Sequence, residues 1–206
     1  MRTAFFLAMR PLVWFILGLS VGNRAHLPRS GPAIVAANHN SHLDILVLLC
    51  SMPAQAIAAT APVAAADYFF RTPLRRFVAT RIFGILALER TMRRGSEPFG
   101  PLLAHLEAGG ILIIFPEGTR GAPEEMGALK SGLSKLVREA AVPVTPVYLQ
   151  GAGRILPKGT RVPLPFTCAM LVGERLAPSA DRAAFMAGLS AAFSALKSAA
   201  PPLHWH

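Results

Sequence analysis

Short, wholly apolar runs alternate along this chain with longer stretches in which apolar residues recur at helical spacing. Ala33 to Ala37 reads as a buried strand, and Ile45 to Cys50 as an aliphatic helix behind it. Gln55 to Thr60 reads as a second strand, Pro62 to Phe70 as a connection, and Pro73 to Phe83 as a helix with its proline in the first turn. Gly84 to Leu88 is a third strand. Ser96 is placed to cap a helix from Glu97 to Ala108, which Gly109-Gly110 stops. Ile111 to Phe115 is apolar throughout, as expected of a central strand covered on both faces. A helix from Ser131 to Ala141, a strand from Val144 to Tyr148 and one or two strands within Arg161 to Val172 follow. The terminal helix, Ser179 to Ser198, carries Phe185, Leu189, Phe193 and Leu196 on one stripe, as plain core packing would. Strands alternating with helices predict an α/β layered domain with a mainly parallel central sheet flanked by helices. No internal repeat or low-complexity tract interrupts it.

The amino-terminal stretch follows a different pattern. Ala4 to Val21 is apolar except at Arg10, and Arg10-Pro11 divides it. The unbroken run Leu12 to Leu19 is short of the ~20 apolar residues that span a bilayer. No small-residue cleavage site precedes Asn23-Arg24, which argues against a signal peptide. The expectation is an interfacial, monotopic helix with its apolar face in lipid and its arginines at the headgroups. Residues 1–24 therefore read as a membrane-associating segment and 25–206 as the functional domain.

Composition sharpens this picture. The 206 residues are 52% hydrophobic and only 16% charged, yet carry a net charge of +10. Arginine far outnumbers lysine, and mean hydropathy is +0.43. Seven arginines (71, 75, 76, 81, 90, 93, 94) crowd one stretch among Phe69, Phe70, Leu74 and Phe77. Apolar bulk with excess arginine suits an anionic membrane surface or phosphate-bearing ligands gripped bidentately. Two Tyr, two Trp and no nucleic-acid module speak against a nucleic-acid partner. The two cysteines, Cys50 and Cys168, make no disulfide framework, and a cytoplasmic redox setting is expected. His204 and His206 flank Trp205 in a tail expected to fray, so no metal site is expected there.

Candidate chemistry begins where the first strand ends. In Asn38-His39-Asn40-Ser41-His42-Leu43-Asp44, His39 sits in the strand-to-helix turn and Asp44 in the helix's first turn. Ser41 is placed as the N-cap. Asp44 can fold back on His39, fix its tautomer and stabilise its protonated form, so that His39 can take a proton from a hydroxyl. Ser41-x-x-Asp44 is equally a capping box that serves only the helix. After the central strand comes Phe115-Pro116-Glu117-Gly118-Thr119-Arg120. Ligands in parallel sheets bind beyond the carboxyl ends of strands, so this loop should line the same crevice as His39. Gly118 permits close backbone approach, Thr119 offers a hydroxyl and Arg120 a fork of donors for phosphate. Glu117 can accept from a ligand hydroxyl or hold Arg120.

Together these residues resemble the lysophosphatidate acyltransferase family of glycerolipid acyltransferases. Asn38 to Asp44 matches its first motif, Gly84 to Arg90 the second, Phe115 to Arg120 the third, and Val142-Pro143-Val144-Thr145-Pro146-Val147 the fourth. Lys130-Ser131-Gly132 resembles the family's Lys-x-Gly at the helix between the last two. The resemblance spans roughly residues 30 to 150 in order. It implies acyl transfer from acyl-CoA or acyl-carrier protein, as co-substrate and without further cofactor, to a lysolipid hydroxyl. His39 would be the general base and Asp44 its orienting partner. Arg90, Glu117, Gly118, Thr119 and Arg120 would bind the acceptor's glycerol phosphate. Asn38, Ser41 and Lys130 would support the site, and Pro143 would shape its floor.

Two departures weaken lysophosphatidate as the specific acceptor. Ala64-Ala65-Ala66 stands before Asp67 where many members have a lysine, and Gly121 where many have serine. A hydrolase with Ser41 as nucleophile and a non-catalytic lipid-binding protein are the rivals. No G-x-S-x-G elbow supports the first.

Overall fold

The computed structural model describes residues 1–65, 72, 76–88, 98–121, 125–155 and 166–202. Among these, α1 (Arg2–Ile16) leads into β1 (Ser20–Gly22), β2 (Ala33–Ala37), α2 (Leu43–Ser51) and α3 (Ala54–Ile57). Next come β3 (Thr60–Ala65), a π-helix (Val78–Phe83), β4 (Leu86–Leu88), α4 (Gly100–Glu107) and β5 (Ile111–Ile114). The chain continues through α5 (Gly132–Ala140), β6 (Val144–Gln150), α6 (Ala152–Ile155), β7 (Ala169–Val172) and α7 (Arg182–Ala199).

The strands form one sheet in the order β1-β7-β6-β2-β5-β3-β4. All pairings are parallel except β6 with β7. Successive side chains of a strand leave by opposite faces, so the apolar runs feed two cores. Val35, Ile111 and Ile113 pack with α1, α2 and α3 residues such as Phe6, Leu48 and Ile57. Ile34, Ala36 and Leu112 pack with Leu102, Leu136, Leu189 and Phe193 of α4, α5 and α7. This is the expected layered α/β domain, and it explains why β2 and β5 are apolar at every position.

Several boundaries differ from expectation: α4 starts at Gly100 behind Phe99 rather than behind a Ser96 cap, α7 starts at Arg182 behind an Asp181 cap, and three more bear on the layers. Gln55 to Ile57, expected to open a strand, lie instead in a helical turn (Ala54–Ile57) in which Ala56 N–H donates to Pro53 O at 2.9 Å. An alanine-rich run behind a proline suits a helix start better than a strand. Strand β3 therefore starts at Thr60 and includes Pro62, which was read as connection. Thr60–Pro62 pair with β5 and Val63–Ala65 with β4, so the proline sits where the strand changes partner. Helix α1 runs unbroken through Arg10-Pro11, because Phe6 before the proline and Val13 after it are both buried in the same core.

The arginines of the amino-terminal segment bond to backbone carbonyls. Arg2 donates to the carbonyls of Thr60, Phe83 (2.8 Å) and Ala58 (3.4 Å). Arg10 donates to Cys50 O and Met52 O, both at 2.6 Å, and Arg24 to Ser51 O at 2.9 Å. The last two cap the free carbonyls at the end of α2, where positive charge is favourable. The other face of α1 leaves Phe5, Leu7, Leu12, Phe15 and Ile16 exposed. Among the described residues no helix is long and apolar enough to cross a membrane.

Candidate active site

The parallel arrangement of β2, β5 and β6 brings three carboxyl ends side by side, and the chemistry-bearing loops leave from there. His39 stands two residues beyond β2. Its Nδ1 lies 2.9 Å from Asp44 Oδ2, and Asp44 is fully buried. The same oxygen accepts from the backbone N–H of Asn40 (2.8 Å) and Ser41 (2.9 Å). Asp44 is thus both the carboxylate arm of a capping box and the partner of the histidine. Three nitrogens converging on one oxygen fix its position.

Ser41 lies one residue upstream of the observed N-cap, His42. Its Oγ accepts from Leu43 N–H at 3.3 Å, and it is 1% exposed. The expected N-cap position is therefore corrected by one residue, because Asp44 draws the Asn40-Ser41 backbone onto itself. A serine so enclosed is ill placed as a nucleophile, which disfavours the hydrolase reading.

Asn38 ties this loop to the neighbouring strand. Its Oδ1 accepts from Leu149 N–H at 2.6 Å, while its Nδ2 donates to Leu149 O at 2.8 Å and Asn40 Oδ1 at 2.7 Å. The side-chain amide thereby stands in for a ladder partner at the end of β6, whose backbone groups would otherwise be buried unpaired. Asn40 Nδ2 in turn reaches Glu125 O at 3.2 Å.

The loop after β5 grips His39 from the other side. Its ring stacks on Phe115 with centroids 4.1 Å apart and planes 21° from parallel. Its N–H donates to Glu117 Oε1 at 2.9 Å, and its carbonyl accepts from Gly121 N–H at 3.0 Å. Glu117 Oε2 accepts from Gly127 N–H at 2.7 Å. Against the expectation that Glu117 binds the acceptor or holds Arg120, both its oxygens meet backbone donors inside the fold, and it is 4% exposed. Burial pushes its carboxyl above the usual range, and the N–H bonds from Gly127 and His39 pull the other way.

Gly118 adopts φ +69°, a left-handed conformation that favours glycine, and a Cβ there would stand only 2.7 Å from Lys130 Nζ. Lys130 N–H donates to Pro116 O at 2.8 Å, which fixes the start of α5 against the same loop. Thr119 is exposed and Arg120 half-buried at the rim, next to the Gly121 amide that holds His39. His39, Asp44, Asn38, Ser41, Glu117, Gly118, Thr119, Arg120 and Lys130 therefore cluster. Arg90 lies outside the described residues, as do Arg71, Arg75, Arg93 and Arg94 of the basic stretch; Arg76 and Arg81 are exposed.

Pro143 does not join the cluster. Its carbonyl accepts from Ile34 N–H at 3.0 Å, at the amino end of β2 and β6. From there to Leu149 the strand climbs ~20 Å at ~3.3 Å per residue. Its place is in sheet registration, and the expectation that it shapes the site floor is corrected. Sequence reading also gave no role to Phe115 or Gly127. Phe115 sat in view as the last apolar residue of a strand ahead of a functional loop; nothing local marks Gly127.

Comparison with known proteins bears on the family and the fold. Residues 18–150 match the family model described as Acyltransferase. The chloroplastic 1-acyl-sn-glycerol-3-phosphate acyltransferase of Arabidopsis thaliana is 28% identical over 144 residues, 69% of this chain and 38% of that protein. The human 1-acyl-sn-glycerol-3-phosphate acyltransferase alpha is 26% identical over 140 residues, 66% of this chain and 47% of that one. The matched region thus spans roughly two-fifths to one-half of these relatives. The crystal structure of the 1-acyl-sn-glycerophosphate acyltransferase PlsC from Thermotoga maritima superposes with a TM-score of 0.80, covering 98% of this chain and 81% of that one at 19% identity. By the match of its central two-thirds, the chain belongs to the acyltransferase family.

Proposed function

We propose that this protein transfers a fatty acyl group from acyl-CoA or acyl-carrier protein to the free hydroxyl of 1-acylglycerol-3-phosphate or a related lysolipid. The observation that carries the reading is the His39–Asp44 pair. With Nδ1 engaged by a fully buried carboxylate at 2.9 Å, Nε2 is the nitrogen that meets the acceptor. Nε2 takes the hydroxyl proton as the oxygen attacks the thioester carbonyl, and Asp44 stabilises the imidazolium. Collapse of the tetrahedral adduct breaks the C–S bond, and the imidazolium returns its proton to the departing thiolate. A thioester is already activated, so no acyl-enzyme is required. Arg120 and Lys130, close to the Gly118 backbone, are the cations available to the acceptor's phosphate, with Arg90 assigned there by family resemblance.

The exposed apolar face of α1 and the net charge of +10 support binding at an anionic membrane surface, in the monotopic manner and on the cytoplasmic side. The relatives' names, which specify 1-acyl-sn-glycerol-3-phosphate as substrate, support that acceptor. The test is incubation of purified protein with labelled acyl-CoA or acyl-carrier protein, with and without lysophosphatidate. Label entering phosphatidate only when acceptor is present, and lost in His39→Ala, is the expected result. Release of free fatty acid without acceptor would replace transfer by hydrolysis.

A further inference from the structure

The loop after β5 carries two kinds of residue, and their surroundings separate them. Thr119 is exposed and Arg120 half-buried, whereas Glu117, two residues before Thr119, is buried. Each of its oxygens already has a backbone donor: His39 N–H at 2.9 Å and Gly127 N–H at 2.7 Å. Those two amides belong to segments far apart in the chain.

The rest of the frame is built around the same contact. His39's carbonyl accepts from Gly121 N–H at 3.0 Å, so one loop holds both ends of the histidine's backbone. Asn40 Nδ2 donates to Glu125 O, adding a second strut to the 125–127 segment. Gly127 approaches so closely that a Cβ there would stand 3.0 Å from Glu117 Oε2. A side chain at 127 would press on the carboxylate, so the close approach belongs to the design of the contact. An acceptor hydroxyl would have to compete with two charge-assisted bonds already made inside the protein.

We infer that Glu117 is a positioning residue, which holds the backbone of His39 and the 125–127 segment in one frame, and that the acceptor does not touch it. This rests on the reading of His39 as the base. Under it, Glu117 acts on the rate by fixing where the imidazole stands, and acceptor binding falls to other residues of the site.

Glu117→Gln tests this with little change of shape. The amide keeps one acceptor oxygen but presents N–H where the second backbone donor points, so one strut breaks. Four readouts of the full-length protein separate the possibilities. A thermal midpoint within a few degrees of wild type establishes that the variant folds; if it does not, Gly127→Ala, which strains the same contact from the other side, replaces it. Amide hydrogen exchange then reads the frame directly: protection at His39 and Gly127 should drop at least tenfold while protection in β5 is unchanged. Equilibrium binding of lysophosphatidate should stay within about twofold of wild type. Turnover should fall ~10- to 100-fold with acceptor KM nearly constant, as expected when a reacting group is misplaced by a fraction of an ångström to an ångström.

Weakened lysophosphatidate binding by tenfold or more, with exchange at His39 unchanged, would overturn the inference and return Glu117 to the acceptor site. Exchange and binding need no turnover, so they decide the matter even if the parallel His39→Ala assay refutes acyl transfer.

Discussion

Asp44 Oδ2 receives His39 Nδ1 and the N–H groups of Asn40 and Ser41 within 2.9 Å, so one buried oxygen both orients the imidazole and shapes the turn that carries it. The two roles separate by substitution. Asp44→Asn keeps an oxygen for the turn but removes the charge that stabilises imidazolium, and should lower kcat ~10²–10⁴-fold with modest loss of stability. Asp44→Ala also strands buried N–H groups and should cost a further few kcal/mol in denaturant unfolding, at ~1–3 kcal/mol for each unpaired group. Equal stability of the two variants would remove the turn-forming role.

Asn38→Ala removes the clamp on Leu149 without touching His39. It should destabilise the fold by ~2–4 kcal/mol, since it leaves both Leu149 backbone groups without partners. Activity at low temperature, where the variant is folded, should drop less than in Asp44→Asn. Calorimetry beside a steady-state assay reads both.

Arg120→Ala and Lys130→Ala should raise the KM for lysophosphatidate at least tenfold, with kcat changed by no more than a few-fold. An uncharged acceptor such as monoacylglycerol should lose the difference between variant and wild type. A KM that does not depend on acceptor phosphate would remove both residues from that role.

Alkaline pH should destabilise the protein through its thiols. Burial pushes Cys50 up to about 11 and Cys168 up to about 12 from an ordinary 9.0. Native protein therefore keeps protons that the unfolded chain releases above pH 9, so stability is intact below pH 9 and falls as pH rises toward 11 and 12. Thermal midpoints measured from pH 8 to 11 should decline more steeply in wild type than in Cys50→Ala/Cys168→Ala. A thiol reagent at pH 8 should label neither cysteine until unfolding.

Much of this organisation is legible in the residues themselves. Strands β2 and β5 are continuous apolar runs, and that continuity follows from cores on both faces of the sheet. The His39–Asp44 contact lies within five residues, so strand-turn-helix geometry alone brings it into reach. Contacts that cross the sheet leave no comparable mark. The Glu117 bond to His39 spans 78 positions and depends on β2 lying beside β5. Pro143 was misplaced for a related reason: a motif on a strand does not say which end of the strand meets the site. Strand β1 escaped notice because three residues, two of them exposed, carry no readable period.

The arginine bonds from the amino-terminal segment to the end of α2 have a practical consequence. Asp44 rides on the first turn of that same nine-residue helix, so whatever secures its far end also steadies the carboxylate. Shortening the protein by some two dozen residues to make it easier to handle would strip Arg10 and Arg24 together and empty the Phe6 and Val13 positions of the core. Soluble but inactive material from such trimming would therefore report a loosened α2 and a displaced Asp44 as much as the loss of the exposed apolar face of α1.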